Sequence, residues 1–275
     1  MNKDLQDSMS DSMETHRKML PYLHLLLKDM WALGSSPEKI IEMVRPLALP
    51  ADSTRVLDLG CGKGAVCIQL AKNFGFRVVG VDGSAPFLEE ARIKAQENSV
   101  ESQCQFVEQD IREYVKTARN FDVVVLASLG GVFGPYDETV KFLRDTIRNG
   151  GFIIIDDGFS KRDVHQRRSG YLHYLPHKKT LNQLTSQGDE LVDEIILSDE
   201  ENSAIDREYI ETLKTRSIPL LEQHPELKEL VNHYIENQLE ECDYIEDNLV
   251  GAIWLLQKKQ SEINLLTLRI LPCMN

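Results

Sequence analysis

Three aspartates in the first half of the chain each belong to the end of a short apolar run. Asp58 lies near the end of the first run, and Asp82 and Asp110 end the next two. Asp58 stands two residues before a glycine-rich turn, where a carboxylate suits a positively charged ligand better than a pyrophosphate. Asp82 follows the turn by about 20 residues, the distance at which an acid binds ribose hydroxyls in a βαβ unit. The pattern therefore indicates a site for a nucleoside that carries positive charge.

The turn itself consists of three glycines within residues 60–64. The apolar residues before it predict a buried strand, and helical periodicity begins directly after it. A strand, a glycine turn and a helix together let a ligand approach the backbone closely beside a helix N-terminus. The same spacing fits the dinucleotide pattern G-x-G-x-x-G/A, with Ala65 last. A nicotinamide-dependent oxidoreductase is therefore an alternative, although it gives no role to Asp58 or Asp110.

Residues 57–64 resemble motif I of the class I S-adenosylmethionine-dependent methyltransferases, and the later acids continue the resemblance. It implies that Asp82 binds the ribose, that Phe87 packs on the adenine, and that Asp110 and the N–H of Ile111 hold the ring. The specific resemblance covers about residues 55–160. The cofactor-binding residues that it implies are Asp58, Gly60, Cys61, Gly62, Asp82, Gly83, Phe87, Asp110, Ile111 and Ala127.

Apolar runs alternate with helical patterns through the chain, and they predict a parallel sheet. The fourth run, residues 121–127, is continuously apolar, as expected of a strand buried on both faces. With the resemblance, the fold is expected to be α/β: a Rossmann-like, doubly wound, mostly parallel seven-stranded sheet with an antiparallel C-terminal hairpin and a helical cap or insert. We expect a helical cap over residues 1–50 and a methyltransferase domain over 51–275, with the insert at about 199–247.

Composition excludes several classes of protein. Of the 275 residues, 42% are hydrophobic and 27% charged, which is typical of a soluble globular chain. The net charge of −13 argues against a nucleic-acid surface. No apolar run is long enough to span a membrane, and the N-terminus lacks the apolar core of a signal peptide. Five scattered cysteines without metal-ligand spacing indicate reduced thiols, a cytoplasmic protein and no metal site.

The implied reaction is transfer of a methyl group to a nitrogen or oxygen atom of a small molecule. Alignment in a water-poor site supplies most of the acceleration, so no catalytic triad is needed. The catalytic residues stay unassigned. Candidates for a general base are His165, His173, His177, Asp156 and Asp157, and packing or capping is the alternative role of each.

Several further questions stay open at this point. The helical insert is either a substrate lid or the interface of a homodimer. Arg167, Arg168 and Tyr171 either hold an anionic or aromatic substrate or form a solvated loop. Tyr22 and Trp31 either cover the cofactor or pack the N-terminal helices. A protein that binds S-adenosylmethionine without catalysis is a further alternative. The sequence does not identify the methyl acceptor.

Overall fold

A seven-stranded sheet forms the centre of the computed structural model, which describes residues 3–163 and 168–259. The strands are β1 (Arg55–Leu59), β2 (Arg77–Asp82), β3 (Cys104–Glu108), β4 (Phe121–Ala127), β5 (Ile147–Ser160), β6 (Glu190–Ile196) and β7 (Leu249–Gln257). Their order across the sheet is β3-β2-β1-β4-β5-β7-β6. Only β7 runs antiparallel to its neighbours among these strands. The predicted fold class, including the antiparallel C-terminal pair, is confirmed.

Ten α-helices are present in the described residues. They are α1 (Lys3–Ser12), α2 (Leu23–Leu26), α3 (Pro37–Val44), α4 (Ala65–Phe74), α5 (Ala85–Glu97), α6 (Ile111–Thr117), α7 (Tyr136–Thr146), α8 (His177–Leu184), α9 (Asp199–Gln223) and α10 (Lys228–Asn248). Three short 3₁₀ turns, Arg17–Tyr22, Arg45–Leu47 and Pro225–Leu227, join some of them. No helix within the described ranges combines the length and apolarity needed to cross a membrane.

The sheet separates two hydrophobic clusters. In β4, Val124 and Leu126 enter the cluster with α6 and α7, whereas Val123 and Val125 enter the one with α3 and α4. Because successive side chains of a strand point to opposite faces, a strand covered on both sides must be apolar throughout. This burial explains the continuous apolar run that predicted β4.

The strand order reverses between β1 and β4. Strands β2 and β3 follow β1 to one side, and β5 follows β4 to the other. In open α/β sheets, ligands bind outside the carboxyl ends of the strands at such a switch point. Asp58, Asp82 and Ala127 lie at or near the carboxyl ends of these central strands.

The fifth strand differs from its prediction. The helical spacing of Val140, Leu143 and Ile147 predicts that Ile147 belongs to α7 and that the strand begins at Phe152. The strand instead begins at Ile147. Ile147 pairs with Phe121 of β4, and the pairing register then shifts before Val123. Gly150 has a φ of +76°, so the backbone bulges there and still returns to the ladder. A pairing with a distant strand thus overrides the helical periodicity.

The N-terminal segment is more broken than the predicted amphipathic helices. Pro21 lies inside a 3₁₀ turn, and α2 has only four residues. Proline lacks the N–H that a longer helix requires. The sequence Ser36-Pro37-Glu38 predicts a helix start, and α3 begins at Pro37.

Helices α9 and α10 occupy the connection between β6 and β7, where the insert was predicted. A Ser198–Glu201 capping box begins α9. A third hydrophobic cluster joins the N-terminal Met19 and Leu27 to Leu213 of α9 and Val231 of α10. The N-terminal segment therefore packs on these two helices. The domain boundary near residue 50 stays a prediction.

Candidate functional site

The turn after β1 requires its glycines. Gly60, Gly62 and Gly64 have φ values of +73°, +50° and +74°, a region that side chains with a Cβ avoid. A Cβ on Gly60 would lie only 2.3 Å from Cδ1 of Leu129, in the loop after β4. The turn is therefore bare backbone packed against a neighbouring loop at the switch point.

Asp82 joins this turn to the end of β2. Its carboxylate accepts the N–H of Gly62 at 2.9 Å and that of Ser84 at 2.8 Å. Burial raises the pKa of Asp82, and these backbone donors partly offset the effect. A carboxylate has about four lone-pair positions, so these hydrogen bonds leave acceptor capacity for a ligand.

Asp58 is buried within β1, with 2% of its surface exposed. The Cys67 thiol donates to Asp58 Oδ2 at 3.0 Å. Burial is the main cause that raises the pKa of Asp58 to about 6. Burial also raises the pKa of the Cys61 thiol to about 11, so this thiol stays protonated near neutral pH.

Asp110 begins α6 as its N-cap. It accepts the N–H of Arg112 at 2.9 Å, and the Arg112 guanidinium forms an ion pair with it at 2.6 Å. The Arg112 side chain is the main cause that lowers the pKa of Asp110. The carboxylate is thus ionised, and an adenine amine would share it with Arg112.

One cavity of about 890 Å³ brings the predicted cofactor residues together. Its lining includes all ten of them: Asp58, Gly60, Cys61, Gly62, Asp82, Gly83, Phe87, Asp110, Ile111 and Ala127. They come from five separate segments of the chain. Their contact with a cofactor stays a prediction, but the fold places them around a single space.

The two carboxylates at the end of β5 also line this cavity. Asp156 accepts the N–H of Ser36 at 2.7 Å, which fastens the start of α3 to the sheet. Asp157 accepts the Tyr174 hydroxyl at 2.5 Å. Burial is the main cause that raises the pKa of Asp156 to about 7 and that of Asp157 to about 6.

The two candidate histidines within the described ranges do not line the cavity. His173 is not among the lining residues; its ring packs against Gly131 and Tyr174, and burial lowers its pKa to about 4. His177 is also absent from the lining, and its Nε2 lies 2.7 Å from Glu194 Oε1. His165 and Arg167 lie outside the described residues.

The far side of the cavity was not predicted from the sequence. Asp206 and Tyr209 of α9 and Gln238 and Glu241 of α10 line it. Gln238 Nε2 donates to Glu241 Oε2 at 2.8 Å, and the Tyr209 hydroxyl donates to Gln238 Oε1. The pattern of acids and aromatic residues within each helix does not indicate that α9 and α10 line the same cavity.

Arg168 and Tyr171, two residues of the loop after β5, have partners in the protein. The Arg168 guanidinium forms an ion pair with Glu14 and donates to the carbonyl of Asn237 at 3.2 Å. The Tyr171 hydroxyl donates to Glu241. Arg168 therefore links the N-terminal segment to α10 and does not line the cavity.

Lys63 is an unpredicted anchor inside the glycine turn. It is 1% exposed, donates to the Leu27 carbonyl at 2.6 Å and pairs with Glu90 at 2.8 Å. Burial is the main cause that lowers its pKa. The Trp31 indole donates to the Lys63 carbonyl at 3.0 Å, so Trp31 fastens the N-terminal segment to the turn.

The N-terminal helix α1 approaches the end of β2 from outside. A Cβ on Gly83 would lie 3.0 Å from the Met9 sulfur and 3.1 Å from Leu5 Cδ1. Leu5 and Met9 line the cavity, whereas Tyr22 and Trp31 do not. The apolar cover therefore comes from α1 rather than from the two aromatic residues that were candidates for it.

A family model described as a methyltransferase domain matches residues 56–151. An S-adenosyl-L-methionine-dependent Diels-Alderase of Talaromyces variabilis is 35% identical over 113 residues, which are 40% of this chain and 38% of that protein. The match spans about two fifths of the length of such curated relatives.

Solved structures share the fold over nearly the whole described chain. One is a S-adenosylmethionine-dependent methyltransferase of Geobacter sulfurreducens, with a TM-score of 0.74 and 21% identity over 87% of this chain and 98% of that one. Its counterpart from Thiobacillus denitrificans has a TM-score of 0.72 and 22% identity over 86% and 98%. Both hold S-adenosylhomocysteine, and S-adenosylmethionine is the cofactor of this family. The matched domain, the strand order and the glycine turn together show that residues 56–151 resemble a methyltransferase domain, and that the chain has the Rossmann-like fold of these S-adenosylmethionine-dependent methyltransferases.

Proposed function

We propose that this protein transfers a methyl group from S-adenosylmethionine to a nitrogen or oxygen atom of a small molecule. One observation carries the proposal. The cavity lined by the predicted cofactor residues continues past them to the end of β5 and to α9 and α10. Ligand cavities usually measure about 300–1,000 Å³, and this one, at about 890 Å³, has room for more than a cofactor alone.

The residues present fit S-adenosylmethionine. Gly62 and Leu33 both line the cavity, and a Cβ on Gly62 would lie 2.9 Å from Leu33 Cδ1, so only a glycine fits at that point. Two buried carboxylates, those of Asp58 and Asp82, supply negative charge where the ligand carries positive charge and hydroxyl donors. The side chains of Phe87 and Ile111, both largely buried, provide an apolar surface for a purine.

The residues around the cavity would bind and orient S-adenosylmethionine. Asp82 would accept the ribose hydroxyls with the lone pairs that Gly62 and Ser84 leave free. Asp58 would offset the positive charge of the ligand, and Phe87 and Ile111 would hold the purine. When bound, S-adenosylmethionine supplies an electrophilic methyl group.

Water exclusion and proton removal complete the proposed mechanism. Leu5 and Met9 of α1 cover the turn near Gly83 and keep water from the cavity. Asp156 and Asp157 line the cavity with raised pKa values, so either carboxylate is suited to take a proton from the acceptor near neutral pH. Asp156 accepts the N–H of Ser36 through Oδ2, and Asp157 accepts the Tyr174 hydroxyl through Oδ1.

The unpaired thiols favour a cytoplasmic location. The described cysteines, Cys61, Cys67, Cys104 and Cys242, form no disulfide with one another. Reduced thiols are typical of proteins in the cytosol.

The test is a transfer assay. The purified protein is incubated with S-adenosylmethionine and a panel of amines, phenols, alcohols and carboxylic acids, and mass spectrometry follows S-adenosylhomocysteine and any methylated product. We expect both to appear together with at least one acceptor. If the cofactor binds and stays intact with every acceptor, the methyltransferase proposal is wrong. That result would instead support the alternative of a protein that binds S-adenosylmethionine without catalysis.

A further inference from the structure

The side of the cavity away from the glycine turn combines carboxylates with tyrosines. We call it the insert wall, and it consists of Asp157, Tyr171, Tyr174, Asp206, Tyr209, Gln238 and Glu241. These residues come from the end of β5, from the segment that follows it, and from α9 and α10. The wall faces a part of the cavity that the predicted cofactor residues do not line.

All its members except Asp206 form a connected network, in which Tyr209 donates to Gln238. Tyr174 donates to Asp157 at 2.5 Å, and the rings of Tyr171 and Tyr174 are 5.6 Å apart. Tyr171 in turn donates to Glu241, which also accepts the Gln238 amide at 2.8 Å. Side chains joined in this way are held in place before a ligand arrives, which reduces the entropy cost of binding.

The carboxylates of the insert wall lack cationic partners. Asp157 is bonded to a tyrosine, Asp206 to the Cys242 thiol, and Glu241 to a tyrosine and an amide. Within residues 3–163 and 168–259, none of the three forms an ion pair. Arg168 lies close enough to favour the ionised form of Glu241, but it is paired with Glu14.

Burial without a counter-charge has the expected consequence. It raises the pKa of Asp157 and of Asp206 to about 6, and it raises the pKa of Glu241 as well. Burying a carboxylate that is not paired with a cation is costly. A cationic group in the cavity would therefore be attracted to this wall, whereas a carboxylate or phosphate would be repelled from it.

The tyrosines favour the same class of ligand. Alkylammonium groups bind beside the electron-rich faces of aromatic rings. Tyr171, Tyr174 and Tyr209 all line the cavity beside the carboxylates. Aromatic residues and buried acids thus line one cavity, which distinguishes this wall from an acidic patch on the surface.

We propose that the methyl acceptor is an amine that binds as a cation, with its ammonium group against Asp157, Asp206 and Glu241 of the insert wall. This inference rests on the proposed function and narrows its acceptor to one chemical class.

The test uses two probes of the same shape that differ in charge, choline and 3,3-dimethylbutan-1-ol. The full-length protein is first saturated with S-adenosylhomocysteine, and each probe is then titrated by calorimetry. We expect choline to bind at least about tenfold more tightly than the neutral alcohol. The double variant Asp206→Asn and Glu241→Gln should lose this preference. Glu240→Gln, at an exposed neighbour on α10 outside the cavity lining, should retain it.

The failures of the two proposals are distinguishable. Absence of S-adenosylhomocysteine binding would argue against the proposed function before any probe is added. Normal binding of that ligand, with equal affinity for both probes or none for either, would overturn the amine proposal. If the double variant does not fold, the wild-type protein still tests the amine proposal. Methylation confined to phenols or carboxylic acids in the transfer assay would contradict that proposal.

Discussion

The backbone N–H of Gly62 donates to Asp82 over 2.9 Å, and so fastens the turn after β1 to the end of β2. The second carboxylate oxygen accepts the N–H of Ser84, directly before α5. A single side chain therefore sets the shape of the glycine turn and the start of the next helix. The acid predicted to bind a ribose also builds the surface on which that ribose would lie.

Replacement of Asp82 by alanine should weaken S-adenosylhomocysteine binding by about one to a few kcal/mol, the value of charge-assisted hydrogen bonds. The variant loses the ribose acceptor and the two backbone bonds together. Glu108 is the matched control, because it pairs with Asp82 in the sheet register and is exposed. Calorimetry should show a normal affinity for Glu108→Ala. An unchanged affinity in Asp82→Ala would rule out the ribose assignment.

Replacement of Gly60 by alanine should cost more stability than the same change at Gly150. Both residues have a positive φ, so both changes carry a backbone cost of about 1–2 kcal/mol. Only at Gly60 would the new methyl group meet Leu129, which adds about 1–3 kcal/mol of overpacking, whereas space is open at Gly150. Urea unfolding measures both costs.

The Leu129→Ala background separates the two contributions at Gly60. In this background, Gly60→Ala should no longer lose the free energy of unfolding that is due to overpacking against Leu129. The loss that is due to the positive φ should remain. Equal losses for Gly60→Ala with and without Leu129 would mean that the contact is unimportant.

Local patterns were sufficient to predict the centre of the fold. The acids Asp58, Asp82 and Asp110 each accompany a strand whose apolar residues are visible in the sequence, and parallel strands bring their carboxyl ends to one edge. The position of Ile147 was predicted wrongly, because its pairing with Phe121 is a contact between distant segments. Periodicity alone carries no information on such pairings.

The unpredicted parts of the cavity depend on tertiary packing. Leu5 and Met9 are ordinary apolar residues, and nothing local indicates that their helix covers Gly83. Lys63 is the clearest example, since a lysine in a turn is expected to be solvated and this one is buried against two backbone carbonyls. Its burial becomes visible only once the N-terminal segment is placed.

Replacement of Lys63 by methionine should destabilise the protein by about 3–5 kcal/mol, because it leaves Glu90 and the Leu27 carbonyl without their buried partner. Lys116→Met is the control. Lys116 forms an exposed ion pair with Glu113, so its loss should cost less than about 1 kcal/mol. Chemical unfolding of the two variants compares these costs, and similar values would contradict the anchoring role of Lys63.

The stability of the wild-type protein should fall between about pH 4 and pH 7 in part because of Asp156. Its folded-state pKa, about 7, lies above the ordinary value of 3.8, so the folded state binds the proton more tightly. The stabilisation by protonated Asp156 is complete at pH values below its ordinary pKa. It is lost as the pH rises through its folded-state pKa.

The Asp156→Asn variant tests this pH dependence. Asparagine retains an acceptor for the Ser36 N–H and does not titrate. We therefore compare the free energy of unfolding of the variant with that of the wild type at each pH. This difference, variant minus wild type, should be about 1–3 kcal/mol more positive at pH 8 than at pH 5. Unfolding curves with the same difference at both pH values would show that Asp156 does not carry the effect.

Calorimetric titration of the full chain with S-adenosylmethionine, S-adenosylhomocysteine and NAD in parallel tests the central claim most directly. The cavity around Asp58 and Asp82 predicts micromolar binding of both adenosyl ligands and none of NAD. Binding of NAD alone would contradict the account, because Asp58 and Asp110 would then have no role in the site.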